Sequence, residues 1–178
     1  AAPLPPVEIQ DAPCHEVILT GSAIDGEGKG LDALPVPIST PGFDVAPYLT
    51  ATSCISRDPD TGVQNMGTYR GGIKAPDRIG LKMFVNLRQG GHAHWDKYKS
   101  RGEKMPMAIM VGCPPALAYV SPQKIREGID EIAVAGALVG APIRVVKAKT
   151  VDLMVPADAE IIIEGLVDTE MLEPEAPF

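Results

Sequence analysis

Aromatic residues are scarce in this chain, at 4% of 178 residues, so its interior must be built from Val, Ile, Leu, Ala and Met. Cysteine is scarce as well, because Cys14, Cys54 and Cys113 are the only three and have no CxxC spacing. An odd count without such a framework indicates reduced thiols and argues against a disulfide scaffold or a zinc site. No apolar run reaches the roughly 18 residues that a membrane-spanning helix needs. These absences, with no signal peptide visible in the sequence, predict a cytoplasmic protein that does not bind membranes.

Positive charge is in deficit, since the formal net charge is −7 at pH 7. Nucleic acids and anionic membranes bind positive surfaces, so neither is expected as a partner. The lysines and arginines are nevertheless concentrated between residues 70 and 104. A local anion site within an acidic protein is therefore compatible with the sequence.

Glycine and proline are abundant, with 18 residues of each, which favours many turns and a β-rich or mixed fold. A hydrophobic content of 45% with 22% charged residues is typical of a globular protein, and the length suits one domain. Residues 1–13 contain four prolines and are predicted to form an extended arm or linker. The folded domain is accordingly expected at residues 14–178.

Runs rich in β-branched and apolar residues, bounded by turn residues, predict the strands. They are Glu16–Thr20, Thr52–Arg57, Val63–Ile73, Ile79–Leu87, Met107–Val111, Ile143–Val146 and Ile161–Ile163. The turn at Asp58–Gly62 makes the second and third of these strands a hairpin. A further turn is expected at Val155–Asp158.

Two segments predict helices. The segment His92–Arg101 has Trp95 and Tyr98 three residues apart, which favours a short helix. Ser121 and Pro122 are suitable as N-cap and first residue of a longer helix. Apolar residues then recur at helical spacing, at Ile125, Ile129, Ile132 and Gly136. With about seven strands and no βαβ rhythm, the predicted fold is α+β, mainly antiparallel, with a barrel and a few flanking helices.

Taken one at a time, the polar residues leave alternatives open. Arg70 is either a surface arginine in an ion pair or a fixed cation for a carboxylate or phosphate. Asn65 is either a turn residue or a ligand, and Glu131 either an exposed helical carboxylate or an inward one that needs a partner or a cation. The histidines at positions 15, 92 and 94 do not have metal-site spacing, and the acidic C-terminal segment is typical of a solvated tail.

Several stretches in register nevertheless resemble the UbiD family of decarboxylases. They are Asn65–Arg70, Met105–Ile109 with Gly112–Pro115, Asp130–Ala137, Val151–Ile161, and Glu164–Gly165 followed by Pro174–Phe178. The resemblance extends from about residue 14 to the end. It implies the cofactor-binding middle domain of the family, a split β-barrel of the flavin-reductase type, without the family's N-terminal and C-terminal domains.

The resemblance also implies a chemistry. Members of the family are similar in being reversible, non-oxidative decarboxylases of aromatic or α,β-unsaturated acids. They use prenylated FMN, supplied by a flavin prenyltransferase, together with Mn²⁺ or Mg²⁺ and K⁺. For this chain it implies the missing decarboxylase domains or a partner subunit, and a homo-oligomer, as further partners.

Residue by residue, the resemblance assigns the catalytic roles to Arg70 and Glu175. It assigns the metal to Asn65 and Glu131, and it places further residues around the cofactor, namely Asn65, Thr68, Tyr69, Arg70, Arg88 and Pro115. Arg88 stands where the family usually has a histidine ligand, and the family pattern continues beyond Phe178 with a second acid. A non-catalytic flavin-binding or assembly subunit is therefore the alternative hypothesis.

Overall fold

The computed structural model describes residues 2–83, 89–126, 128–175 and 177. In these residues ten strands are formed: β1 (Val7–Glu8), β2 (Tyr48–Leu49), β3 (Thr52–Arg57), β4 (Gln64–Gly67), β5 (Gly71–Ala75), β6 (Arg78–Leu81), β7 (Met105–Val111), β8 (Arg144–Lys147), β9 (Met154–Pro156) and β10 (Ile161–Val167). The α-helices there are α1 (Gly90–Ser100), α2 (Pro115–Val120) and α3 (Glu131–Val139).

The strands are arranged in three sheets with the orders β10-β7-β3-β4, β2-β5-β6 and β1-β8-β9. All pairs are antiparallel except β1 with β8. The predicted α+β, mainly antiparallel fold is therefore confirmed. In the part of the chain that the structure describes, these sheets do not close into a barrel. None of the helices there is long and apolar enough to cross a membrane.

The predicted hairpin is confirmed, because β3 and β4 pair antiparallel, with Cys54 opposite Gly67. The turn closes where Asp58 Oδ1 accepts a hydrogen bond of 2.9 Å from the Asp60 amide. Gly62 completes the turn with φ of 76°, a left-handed conformation that glycine adopts without strain.

The single strand predicted at Val63–Ile73 is wrong, because β4 ends at Gly67 and β5 begins at Gly71 in a different sheet. The break lies at Tyr69, whose carbonyl accepts a hydrogen bond of 3.0 Å from the Thr52 hydroxyl instead of continuing a ladder. The strand predicted at Ile79–Leu87 is observed as Arg78–Leu81. Residues 84–87 lie outside the described residues.

The long helix predicted from Ser121 is also wrong. Ser121 is the C-cap of α2, and Pro122 follows it, where it cannot continue a helix because it lacks an N–H. Gly128 has φ of 83°, which is incompatible with a right-handed helix. Helix α3 begins only at Glu131, after Asp130 caps it by accepting a hydrogen bond from the Ile132 amide.

Two smaller predictions differ from the structure, one wholly and one in part, because a strand forms only where a ladder partner is available. The strand predicted at Glu16–Thr20 lies between two 3-10 turns, and its residues 17–19 are exposed. The turn predicted at Val155–Asp158 is confirmed at 157–158, whereas Val155 lies in β9 and pairs with Val146. Residues 4–9, in the segment predicted as an arm, lie along the domain: the Leu4 amide donates to the Ala133 carbonyl, and Val7 pairs with Arg144.

The four-stranded sheet separates two apolar clusters. Successive side chains of a strand point to opposite faces, so β3 contributes Ile55 to one cluster and Cys54 to the other. The first cluster also contains Leu117 of α2 and Ile132 of α3. The second lies under α1 and contains Tyr69 and Trp95 with three residues of β7, namely Met105, Met107 and Ile109. The segment 65–70 therefore crosses the edge of the sheet between the two clusters.

Candidate active site

Tyr69 is the buried centre of this segment, with 4% of its surface exposed. Its ring lies between Gly67 and Gly91, and a methyl group added at Gly91 would come within 2.7 Å of the ring. The hydroxyl oxygen accepts hydrogen bonds from the Gly91 amide at 3.0 Å and from Asn65 Nδ2 at 3.5 Å. Burial raises the pKa of Tyr69 despite these two donors, so the phenol stays neutral. It fixes the start of α1 against Asn65.

Glu131 is inward and buried, with 6% of its surface exposed, so the exposed alternative is excluded. Its Oε2 accepts a hydrogen bond of 2.9 Å from the Met66 amide. This contact brings the carboxylate to the residue that follows Asn65. Burial raises the pKa of Glu131, and the Met66 hydrogen bond offsets only part of that effect. A cation bound to the carboxylate oxygens of Glu131 would favour the charged form of this side chain.

Arg70 and Glu175 are 105 residues apart in sequence and form an ion pair. Arg70 Nε lies 2.6 Å from Glu175 Oε1, and Lys82 Nζ lies 3.3 Å from Oε2. The hydrogen bond from Arg70 lowers the pKa of Glu175, and Lys82 acts in the same direction, while burial acts against both. The same contact raises the pKa of Arg70. Glu175 is therefore held as a carboxylate between two cations.

The main chain of Glu175 is also fixed to the sheet β2-β5-β6. The Tyr48 hydroxyl donates to the Glu175 carbonyl at 2.8 Å, and Lys74 Nζ donates to the same oxygen at 2.9 Å. Two residues earlier, Glu173 pairs with Arg78 at 3.1 Å. The C-terminal segment thus lies on the sheet through a row of cations and is not a freely solvated tail.

A cleft of about 880 Å³ opens beside this segment. The residues that line it include the apolar Ile79, Trp95 and Ile109 as well as the charged Lys82 and Glu175. Pockets of this size and mixed character are typical of cofactor and substrate sites. Lys82, Lys74 and Tyr48 were not predicted from the sequence, although the concentration of basic residues between 70 and 104 is a signal for the two lysines.

The remaining candidates fall at the margin of these groups. The Thr68 hydroxyl donates to the Ser121 hydroxyl at 3.0 Å, which joins the segment to the end of α2. Pro115 begins α2 and is exposed. Arg88 lies outside the described residues. Among the residues described, no three His, Cys, Asp or Glu side chains form a metal-binding group.

Comparison with known proteins assigns a family to this arrangement. A model of the UbiD family, described as 3-octaprenyl-4-hydroxybenzoate carboxy-lyase Rift-related domain, matches residues 6–178. The chain belongs to this family. It is also 38% identical over 149 residues to an uncharacterized protein of Aquifex aeolicus (strain VF5), a match that covers 83% of this chain and 30% of that protein.

Solved structures of the UbiD-class enzyme HmfF and of a vanillic acid decarboxylase are similar to almost the whole chain. The enzyme HmfF from Pelotomaculum thermopropionicum in complex with FMN is 34% identical with a TM-score of 0.84, over 93% of this chain and 36% of HmfF. The vanillic acid decarboxylase of Sedimentibacter hydroxybenzoicus in its closed form is 26% identical with a TM-score of 0.83, over 92% of this chain and 34% of that one. An evolved dimeric form of HmfF in complex with prFMN is 32% identical with a TM-score of 0.77, over 93% of this chain and 37% of that one. The chain thus spans about a third of the length of these relatives.

Proposed function

We propose that this chain is the cofactor-binding middle domain of a UbiD-type decarboxylase acting on aromatic or α,β-unsaturated carboxylic acids. The observation that carries the proposal is the ion pair between Arg70 and Glu175, which joins a cation and an acid beside a cleft. Membership in the family supports it. So do similar structures that hold FMN and prFMN.

Arg70 would bind the carboxylate of the substrate, because a planar guanidinium matches a carboxylate with two parallel hydrogen bonds. Decarboxylation replaces the carboxylate with a proton, and Glu175 would hold and deliver that proton. In the structure Glu175 is paired with Arg70, and this contact lowers its pKa. A substrate carboxylate that shares Arg70 weakens this attraction, so Glu175 takes up a proton more easily once substrate is bound.

The residues fit the cofactor and metal of the family. Asn65 and Glu131 offer an amide oxygen and a buried carboxylate, a donor set suited to Mn²⁺ or Mg²⁺ next to a phosphate, and Glu131 contacts the amide of Met66, the residue after Asn65. Prenylated FMN would be held by Asn65, Thr68, Tyr69 and Arg70 with Arg88 and Pro115, and would supply the electron sink for the loss of CO₂. A nearby K⁺ belongs to the same proposal.

The proposal extends to the architecture and the partners. Residues 14–178 would form the split barrel of the flavin-reductase type with residues 1–13 as an arm, completed by the other decarboxylase domains in the same chain or in a partner subunit. The assembly would be a cytoplasmic homo-oligomer, and a flavin prenyltransferase would supply its cofactor. Multi-chain and dimeric relatives among the similar structures support such an assembly.

The decisive experiment measures decarboxylation in the complete assembly with Arg70→Ala and Glu175→Gln. Both variants should lose activity by a factor of at least roughly 10², the usual effect of removing a general acid, while cofactor remains bound. Arg144→Ala is the matched control, since Arg144 pairs with Asp158 on the sheet β1-β8-β9 and should keep full activity. Unchanged turnover in Arg70→Ala or Glu175→Gln would refute the catalytic assignment.

A second function is a flavin-binding or assembly subunit without catalysis of its own. The residue that favours it is Arg88, which stands where the resemblance to the family implies a histidine ligand of the metal. The two functions differ in one readout. A non-catalytic subunit retains flavin in the Arg70→Ala variant, and its assembly decarboxylates as fast with this variant as with the unmodified chain.

A further inference from the structure

Glu175 is the only acid in the described part of the site that contacts two cations at once, one on each carboxylate oxygen. Arg70 Nε lies 2.6 Å from Oε1, and Lys82 Nζ lies 3.3 Å from Oε2. The two cations lie at the same end of the β5–β6 hairpin, because Arg70 precedes β5, Lys82 follows β6, and Gly71 pairs with Leu81. The Lys82 amide also donates to the Arg70 carbonyl at 3.1 Å, which keeps the two residues side by side.

We propose that Lys82 is a positioning residue, which holds the second oxygen of Glu175 while Arg70 is shared with the substrate carboxylate. In this role Lys82 keeps the acid in place during turnover and sets the pH at which Glu175 gains and loses its proton. The inference rests on the proposed function of Glu175 and adds a residue to it.

The groups that face Glu175 separate the role of Lys82 from that of its neighbours. Tyr48 of β2 and Lys74 of β5 both contact the carbonyl oxygen of Glu175, so they fix its backbone and not its carboxylate. Arg78 of β6 is engaged by Glu173. Of the described cations, Arg70 and Lys82 are therefore the ones that pair with the carboxylate.

The chemistry of the two cations suits two different roles, with Arg70 binding the substrate carboxylate and Lys82 holding Glu175. The guanidinium of Arg70 has the planar geometry that binds a carboxylate through two hydrogen bonds. The ammonium of Lys82 is a point charge on a flexible stem and can follow a carboxylate that moves. Its side chain is 39% exposed and lines the same cleft, so it is accessible to the region where substrate would bind.

The test measures the titration of Glu175 directly, by carbon-13 NMR of the side-chain carboxyl in the chain itself, with Glu175→Gln used to assign the signal. Lys82→Met should move the titration midpoint of Glu175 to higher pH by at least about half a unit. The reason is that the carboxylate loses one of its two neighbouring cations, at a site that is partly exposed to solvent. Lys82→Arg keeps the charge and should restore the low midpoint. Lys104→Met is the matched control, because Lys104 lines the same cleft but pairs with Asp168.

An unchanged midpoint in Lys82→Met, or an equal shift in Lys104→Met, would overturn the inference. Circular dichroism and thermal melting check that each variant is folded before its midpoint is compared. In the complete assembly, the limb of the pH–rate profile that belongs to Glu175 should move by the same amount in Lys82→Met. A midpoint that shifts in the chain without any decarboxylation by the assembly would refute the proposed function while leaving the electrostatic role of Lys82 intact.

Discussion

Tyr69 shows how glycines position a side chain in the candidate site. The ring occupies the space that side chains at Gly67 and Gly91 would need, and its hydroxyl accepts hydrogen bonds from the Gly91 amide and from Asn65. The glycines thus permit a bulky residue to lie between β4 and the start of α1. The position of Asn65, and with it that of the proposed metal site, depends on this packing.

A methyl group at Gly67 tests that dependence, because it would overlap the Tyr69 hydroxyl. Gly67→Ala should lower the free energy of unfolding by about 1–3 kcal/mol, the usual cost of overpacking a core. Gly165→Ala in β10 is the control, since nothing lies within 4 Å of its added methyl group. Urea denaturation compares the two, and equal stabilities would contradict the packing described for Tyr69.

At the scale of elements, the carboxylate of Glu164 joins the turn between β8 and β9 to strand β10. Glu164 of β10 accepts hydrogen bonds from the Lys149 amide at 2.9 Å and from the Thr150 amide at 2.5 Å, and a third from the Thr150 hydroxyl at 2.6 Å. Burial acts to raise the pKa of Glu164, but these donors outweigh it and the pKa is lowered. The interaction fixes the turn between β8 and β9.

Glu164→Gln should therefore destabilise the protein at neutral pH, by about 1–2 kcal/mol for the loss of hydrogen bonds to a charged acceptor. Because the folded pKa lies below the unfolded one, this stabilisation is present above the unfolded pKa. It is lost as the pH falls through the folded value. The difference in stability between wild type and variant should thus narrow on acidification. Thermal melts from neutral pH down through the folded pKa of Glu164 measure this difference in stability. Glu170→Gln, at an exposed position, is the control. A difference independent of pH would rule out the ionic origin.

The elements also show which sequence signals were sufficient. The turn Asp58–Gly62 and its flanking apolar strands predict the hairpin β3-β4, because all the interactions that decide it are local. Ser121 and Pro122 predicted a helix start and instead mark a helix end, since both residues are acceptable on either side of such a boundary. The observed start of α3 depends on the N-cap Asp130, which follows Gly128 with its left-handed backbone conformation.

At the scale of the whole molecule, the site is made of contacts that no local pattern contains. Arg70 meets Glu175 across 105 residues, and Glu131 meets the Met66 amide across 65. The resemblance to the family named Arg70, Glu175, Asn65 and Glu131, whereas the pairing of Lys82 with Glu175 is seen only in the structure. Its pairing depends on how the C-terminal segment lies across the sheet β2-β5-β6, and spacing along the sequence does not encode that arrangement.

The described residues bring the proposed metal pair, Asn65 and Glu131, and the proposed catalytic pair, Arg70 and Glu175, onto one domain. We therefore expect the chain to retain prenylated FMN and one divalent ion when it is co-expressed with a flavin prenyltransferase in the presence of manganese. Native mass spectrometry and the visible spectrum measure both. Glu131→Gln preserves the size of the side chain and its contact with Met66 but removes the charge that a cation needs.

This variant should lose the ion and most of the flavin, whereas Glu170→Gln, an exposed substitution, should retain both. Retention of the ion by Glu131→Gln would exclude Glu131 as a ligand. A chain that carries neither flavin nor metal would mean that the pairs found here do not suffice for binding. The missing binding energy would then have to come from the remaining two thirds of a UbiD-class enzyme, and adding that part as a separate polypeptide should restore the flavin.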